Sequence, residues 1–392
     1  MRVLIDIGHP AHVHFFKNIV LGLERNGHKV LVTAREKDVT VNLLESYGIK
    51  YEVLSKIGFG KGNLIREWVS RDIKLLKIAK KFDPDLLIGV LNPCVAHVAW
   101  LMGKQSFIFT DTEHAKLANH VTLPFAHKVF TPSSYVRDLG DKQIRYNGFH
   151  ELAYLSPDYF EPDPDFLSEL NLDKDDRIIV LRFVSWGASH DVGHHGITNK
   201  LEIVQELEKY GKVFITAEQE LDSSLEKYRI CVSPEKLHDL LYNASLYLGE
   251  GGTTAVESAI LGTPSIYVSS LVGTMGNFTE LETKYEMMHC FDDSKEALQK
   301  AIDILSNPDA KKQWDVKKDR LIRDKIDVNE FIMSHIDLLS RKPEIFKKQP
   351  EPSANPKPKQ WSVEKDSLVR DKTDVNELII GSVDLVLSKD EK

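Results

Sequence analysis

The stretch LYLGEGGTTAVESAILGTPSIYVSS, residues 246–270, decides how the rest of the chain is read. It opens on a short apolar run, Leu246 to Leu248, too brief for a helix and closed by glycine, as a buried strand is. Gly249, Gly251 and Gly252 follow as a turn in which the missing Cβ lets a ligand lie directly against the main chain. A helix is expected from Thr253 to about Leu261, stopped by Gly262 and Pro264, and then a second strand from Ser265 to Val268. Thr253 and Thr254 fall at the helix N-terminus, where unpaired N–H groups and the macrodipole favour an anion such as phosphate. Glu257 sits about one turn further on, a carboxylate suited to a ribose diol while the glycine turn holds a diphosphate. The competing reading is an ordinary strand–helix turn with glycines for packing and a solvated Glu257.

Upstream, the same alternation recurs. Val3-Leu4-Ile5-Asp6-Ile7 is an apolar run of buried-strand length broken by Gly8-His9-Pro10. A helix from about His12 to Asn26 carries Phe15, Phe16, Ile19, Val20 and Leu23 as its buried stripe, and residues 29–33 return as a strand. Further strands are expected at 50–54, 86–90, 106–109 and 128–131, with helices at about 38–47, 64–81, 94–102 and 133–138. Strand and helix in alternation predict an α/β chain with parallel, doubly wound sheets. Residues 147–164 are rich in proline and acid, lack helical periodicity and read as an interdomain linker. A second sheet is expected from 177–183, 213–216, 229–232 and 246–248, with a short amphipathic helix at 234–241 and a loop at 273–281.

Strand, Gly-Gly, Thr-Thr, Glu and Leu-Gly-Thr-Pro in this register resemble the donor half of GT-B enzymes, the nucleotide-sugar glycosyltransferases and the UDP-N-acetylglucosamine 2-epimerases. GHPAHVHFFKNIVLGLERNGHKV, residues 8–30, resembles the first loop and helix of GT-B transferases, and in detail the chain resembles an archaeal-type family of unassigned function in that superfamily. The resemblance covers residues 1 to about 340. It implies two Rossmann-like domains facing a cleft, with the donor diphosphate on Gly251, Gly252, Thr253 and Thr254, Glu257 on the ribose and Arg182 assisting. His12, before Val13, matches a family histidine that faces the acceptor as base or orienter; histidine suits this because its pKa lies near working pH. The alternatives for His12 are a helix cap or a cleft filler. In the segment Thr110-Asp111-Thr112-Glu113, Glu113 matches an essential epimerase glutamate, and Asp111 and Glu113 are otherwise suited to orienting an acceptor hydroxyl or His12, or to capping a helix. Asn92 stands where the epimerase pattern carries aspartate and, having no titratable group, counts against epimerase chemistry.

The totals narrow the classes. The chain has 392 residues, 42% hydrophobic and 28% charged, with a formal charge of −8. That length predicts two domains with an appendage, and the charge gives no support for a nucleic-acid partner. Cys94, Cys231 and Cys290 lie far apart with no CxxC, against a zinc site or a disulfide framework. His190, Asp191, His194 and His195 offer ligand chemistry in a spacing that fits no zinc signature, so no metal is expected. The start MRVLIDIGHP reads as a strand rather than a signal peptide, and no run reaches the roughly 18 apolar residues of a membrane span, so a cytoplasmic protein is expected.

Residues 312–342, KQWDVKKDRLIRDKIDVNEFIMSHIDLLSRK, recur at 359–389 as KQWSVEKDSLVRDKTDVNELIIGSVDLVLSK. Each copy starts its last helix with Asp-Val-Asn-Glu, the spacing of a capping box. The expected organisation is an acceptor-side domain at 1–155, a nucleotide-sugar domain at 156–310, a crossing helix at 311–342, a Pro/Lys-rich linker at 343–358 and the second copy at 359–392. The second copy is open to three readings: docking on another surface, pairing with a second chain as a homo-oligomer, or a remnant of a duplication. Three functions follow in order: transfer of a sugar from a nucleotide donor, probed as a UDP-sugar and needing no cofactor; 2-epimerisation of the same donor; and non-catalytic nucleotide-sugar binding or assembly.

Overall fold

The computed structural model describes residues 1–37, 39–56, 61–184, 196–217 and 220–341. The histidines at 190, 194 and 195, Asp191 and the second repeat copy lie outside the described residues.

The first sheet is built from β1 (Arg2–Ile7), β2 (Lys29–Glu36), β3 (Tyr51–Lys56), β4 (Leu86–Val90), β5 (Gln105–Phe109), β6 (Lys128–Pro132) and β7 (Gln143–Tyr146). Its order is β3-β2-β1-β4-β5-β6-β7, and every pairing is parallel. Helices α1 (Pro10–Arg25), α2 (Thr40–Ser46), α3 (Lys61–Phe82), α4 (Pro93–Leu101) and α5 (Lys116–Thr122) join its strands. With helices on both faces the strands have no solvent side, which is why β1 and β4 read as continuous apolar runs. The short turns α6 (Leu152–Leu155) and α7 (Phe166–Glu169) lead to the second sheet.

That sheet contains β8 (Ile178–Phe183), β9 (Lys212–Ala217), β10 (Leu246–Gly249), β11 (Ser265–Val268) and β12 (Met288–Phe291), in the order β12-β11-β10-β8-β9 and again all parallel. Its helices are α8 (Lys200–Leu207), α9 (Leu237–Asn243), α10 (Gly252–Ile260), α11 (Gly276–Thr283) and α12 (Ser294–Ser306). Strand direction of travel reverses between β1 and β4 in one sheet and between β8 and β10 in the other. In open parallel sheets ligands bind outside the carboxyl ends of strands at such points. Gly8-His9 and Asn92 leave one reversal; Arg182 and the Gly249–Gly252 turn leave the other.

The chain then returns to the first sheet through α13 (Ala310–Asp324) and α14 (Val328–Arg341). Trp314 is buried with its indole N–H on the Met287 carbonyl at 2.9 Å. Asp327 caps α14 by accepting from Asn329 N and Glu330 N at 2.8 and 3.0 Å. Met333 packs over Gly22 of α1, and Phe331 lies against Tyr146 of β7. Among the described residues no helix is long and apolar enough to cross a membrane.

Four local expectations are corrected. Residues 133–138 form turns, not a helix, because the Arg145 guanidinium binds the carbonyls of Ser133, Tyr135 and Arg137 and so takes the acceptors a helix needs. Residues 229–232 make a single parallel bridge, Arg229 to Ile215, at the sheet edge beside β9, in place of a strand. The loop at 273–281 is helical from Gly276. The linker at 147–164 contains α6, whose four residues are all buried.

Candidate functional site

On the second sheet, Gly249 pairs with Arg182, so the glycine turn and the arginine emerge side by side. Arg182 runs along the turn so closely that a Cβ on Gly251 would meet its Cδ and Nε at 3.1 Å. A Cβ on Gly252 would meet the Phe278 ring at 2.9 Å. Gly251 is the N-cap of α10 and supplies no side-chain cap, so the first N–H groups, of Gly252, Thr253 and Thr254, point out of the helix end. Thr253 is exposed and Thr254 buried. Anion-binding chemistry and a cation thus share one turn. Glu250, within the motif but passed over in the sequence, is buried and accepts from Val184 N at 3.0 Å and Ile197 N at 2.7 Å. It ties together the residues flanking 185–195. Its signal was a charged residue wedged between three glycines.

Glu257, further along α10, is buried. Its Oε1 accepts from Tyr154 OH at 2.8 Å and lies 3.0 Å from His238 Nε2. The His14 ring sits 4.6 Å from that of His238 and 5.3 Å from that of Tyr154, and Tyr47 OH meets His14 Nδ1 at 3.1 Å. The structure therefore joins Glu257 to α1 and to the turn α6, in an aromatic and polar cluster that spans both sheets.

Opposite the glycine turn is the loop after β1. His9, not His12, caps α1, its Nδ1 accepting from Ala11 N at 3.2 Å. His12 Nδ1 accepts from Gly8 N at 3.4 Å. Burial, then the charges of His150, Lys37 and Arg71, hold the His12 pKa down at about 3, so the ring is neutral. His9 is lowered by burial and by a ring of positive charge from Lys37, His12, Arg182 and Arg35. Arg182, from the second sheet, thus bears on the first loop. Behind it, Asp6 is fully buried and accepts from Thr33 Oγ1 (2.6 Å), Arg71 Nη2 (2.5 Å) and Asn92 Nδ2 (2.5 Å). Asn92 also caps α4, so both ends of its amide are engaged.

The loop after β5 reaches the other domain. Glu113 Oε1 accepts from Val136 N at 3.1 Å and from Gly276 N at 3.2 Å. Glycine is required there, since a Cβ on Gly276 would fall 1.8 Å from the Ser134 carbonyl oxygen. Burial raises the Glu113 pKa despite these N–H donors. Asp111 Oδ2 receives Asn277 Nδ2 at 3.5 Å and lies 3.4 Å from His150 Nδ1. Asp111 and Glu113 are therefore brought together at the interdomain boundary, with His12 in the first turn of α1 and Glu257 in its own cluster. His150 and Glu151 were missed in the sequence; two titratable residues inside the apolar run NGFHELAYL were the available signal.

Comparison with known proteins agrees with this architecture. Residues 1–341 match the family described as "Protein of unknown function (DUF354)". A Methanocaldococcus jannaschii protein described as "Uncharacterized protein MJ0665" is 28% identical over 307 residues, spanning 74% of this chain and 88% of its own. The Neisseria meningitidis UDP-GlcNAc 2-epimerase bound to UDP-GlcNAc superposes with a TM-score of 0.59 at 14% identity, over 86% of this chain and 100% of that one. For the S. aureus MnaA–UDP structure the values are 0.63, 10%, 87% and 97%. For SsfS6, a glycosyltransferase of Streptomyces sp. SF2575, they are 0.54, 13%, 85% and 99%. At these identities the likeness is one of fold, two facing Rossmann-like domains in the GT-B arrangement with a C-terminal helical extension. The chain belongs to the DUF354 family, and its fold is GT-B.

Proposed function

We propose that the protein is a glycosyltransferase that uses a nucleotide-sugar donor, with UDP as the nucleotide to test first. One observation carries the reading: a capless helix N-terminus and Arg182 converge on the Gly251–Gly252 turn, at one strand reversal, and the charge of Arg182 bears on His9 at the other. The N–H groups of residues 252–254 and the guanidinium suit a diphosphate, and they stabilise it as it leaves with its bonding electrons, so the protein itself supplies the electrostatic work. Glu257 is assigned to the ribose, and Asp111, Glu113 and His12 to the acceptor side. Neighbours of the same fold include a glycosyltransferase and a UDP-GlcNAc 2-epimerase.

Transfer is favoured over epimerisation by Asn92, whose amide is spent on Asp6 and on Val95 N. Epimerisation keeps one supporting observation, the buried Glu113 carboxyl with its raised pKa. The test is thermal unfolding with UDP, UDP-GlcNAc and other nucleotides. At a hundredfold excess over Kd, a ligand of the folded state adds about 2.7 kcal/mol. A UDP-dependent rise in Tm that shrinks in Arg182→Gln supports the donor site, and no rise with any nucleotide refutes it. UDP release that needs an acceptor then identifies transfer, whereas inversion at C2 without one identifies epimerisation.

A further inference from the structure

The α13–α14 return is held by side chains that recur in the second repeat copy. Three of them are buried with a polar tip, and each meets the body of the protein. Trp314 donates to the Met287 carbonyl at 2.9 Å, Lys325 to Glu280 Oε1 at 2.6 Å and Asn147 Oδ1 at 3.0 Å, and Asn329 to the Ala153 carbonyl at 2.7 Å. The second copy carries Trp361, Lys372 and Asn376 at these positions. Asp327, which takes the Tyr159 hydroxyl at 2.6 Å, recurs as Asp374. The buried apolar residues Leu321, Val328, Ile332 and Ile336 recur as Leu368, Val375, Ile379 and Val383. Apart from Ile336, the substitutions between 312 and 340 fall on exposed or half-buried positions, such as Arg320, Ile326 and Ser334. Any amphipathic helix keeps an apolar stripe. The lysine and asparagine are kept where the first copy uses them to meet one particular surface.

We propose that the second copy, residues 359–389, docks on the surface that holds the first, in its own chain and in exchange with it. That surface, with Met287, Glu280, Tyr159, Asn147 and Ala153 as its polar contacts, takes one copy at a time. When the second copy is seated, residues 311–358 become a loop. A loop of about 48 residues lowers the weight of that state about three hundredfold against the directly tethered first copy. The second copy also has Leu378 and Ser382 in place of Phe331 and His335, whose rings lie on Tyr146 and Phe130. The first copy therefore holds the surface, and the second takes it when the first is disabled or drawn away. The tether keeps the second copy at a roughly millimolar effective concentration around its own body, above that of other molecules at micromolar protein. Its own chain is thus the partner it meets. Exchange of the two copies is independent of the transferase reading, and its tests involve no nucleotide.

Two measurements on the full chain test this. The first compares melts of wild type, Ile332→Asp, Ile379→Asp and the double variant, since an unpaired carboxylate at the buried position keeps either copy from docking. Ile379→Asp alone is expected to melt within about 1 °C of wild type. In the Ile332→Asp background, where the second copy holds the surface, it is expected to lower Tm by at least about 3 °C more. No further fall there, or an equal fall in both backgrounds, overturns the exchange. Trp314→Ala with Trp361→Ala serves if the aspartate variants do not fold. The second measurement reads position. A Cβ on Gly22 has room, 3.7 Å from Met333 Cε, and Ile380 corresponds to Met333. Gly22→Cys with Ile380→Cys, in Ile332→Asp chains that also carry Cys231→Ser and Cys290→Ser, is expected to cross-link through a short bis-maleimide at the mass of one chain. Gly22→Cys with Met333→Cys, with Ile332 intact, gives the reference yield of a seated copy. A product at the mass of two chains seats the second copy on another molecule and overturns the proposal, as does the absence of a cross-link where the reference pair gives one.

Discussion

Replacing Glu257 separates what it does for the fold from what it does for a ligand. Its Oε1 takes the Tyr154 hydroxyl at 2.8 Å and His238 Nε2 at 3.0 Å, and the residue is only 4% exposed. Alanine leaves a phenol and an imidazole without their acceptor in a dry site. An orphaned buried donor costs about 1–3 kcal/mol, with bonds to charged groups at the upper end, so Glu257→Ala is expected to lose about 3–5 kcal/mol. For domains of 150–250 residues each kcal/mol moves Tm by about 2–4 °C, giving a fall of roughly 6–20 °C. Glutamine keeps a carbonyl oxygen in place and is expected to lose about 1–2 kcal/mol. Calorimetric melts of wild type, Glu257→Ala and Glu257→Gln measure both terms, repeated with UDP and with inorganic pyrophosphate. If Glu257 also binds ribose, the UDP increment in the glutamine variant shrinks by about 1.4 kcal/mol, a tenfold loss of affinity, while pyrophosphate stabilises both proteins alike. An alanine variant melting within about 2 °C of wild type would refute the burial argument. Equal UDP increments in wild type and Glu257→Gln would refute the ribose role.

Acid should destabilise the fold. His9, His12, His14 and His150 all have lowered proton affinity, chiefly through burial, so below the ordinary histidine pKa of 6.5 the unfolded chain binds protons that the folded chain refuses. Stability is then full above 6.5 and falls as pH drops; for His12, held at about 3, the loss is about 1.4 kcal/mol by pH 5.5 and is absent in His12→Gln. Glu113 has the opposite sign among carboxyls: its raised pKa means that stability is complete below the ordinary value of 4.5 and is lost as pH rises toward the folded value. Melts of Glu113→Gln against wild type should therefore move in the variant's favour between pH 4 and 7. Glu250→Ala orphans the N–H groups of Val184 and Ile197, and denaturant titration should find it about 2–4 kcal/mol less stable.

The sheets were legible because a strand covered on both faces has to be a run of apolar residues, and β1, β4, β10 and β11 announce themselves that way. The glycine turn was legible for a related reason: a helix that starts on glycine with no capping side chain has few structural motives. What escaped depends on partners distant in sequence. Residues 133–138 have a helix-compatible composition, and only Arg145, folded back from β7, withdraws their carbonyls. β7 itself is four residues with one fully buried side chain, Tyr146, so it carries no alternation to read. His238 looked like one polar residue on an amphipathic helix, yet it is 2% exposed because Glu257 and the His14 ring meet it from two other elements. Asn92 was noticed as a departure from an enzyme pattern. Its structural employment by Asp6 belongs to a cluster shared with Arg71 and Thr33, from α3 and β2, which are distant in sequence.

The same loops that carry the candidate chemistry also carry bonds between the domains. Asp111 and Glu113 meet the N-terminus of α11 through Asn277 and Gly276, and Glu257 reaches α6 through Tyr154 and, by way of His238, the ring of His14. On the far side, buried Lys325 ties Glu280 of α11 at 2.6 Å to Asn147 after β7 at 3.0 Å, and Asn329 of α14 holds the Ala153 carbonyl at 2.7 Å. The α13–α14 return therefore spans both domains on the side where the linker passes, as a hinge should. The bonds at the mouth of the cleft are long, 3.2 and 3.5 Å, whereas those along the return are 2.6–3.0 Å. The return is tied to both domains by bonds that do not pass through Asp111 or Glu113, so substituting either residue should leave it in place. A ligand that competes for the Gly276 N–H would then release Glu113 from the second domain.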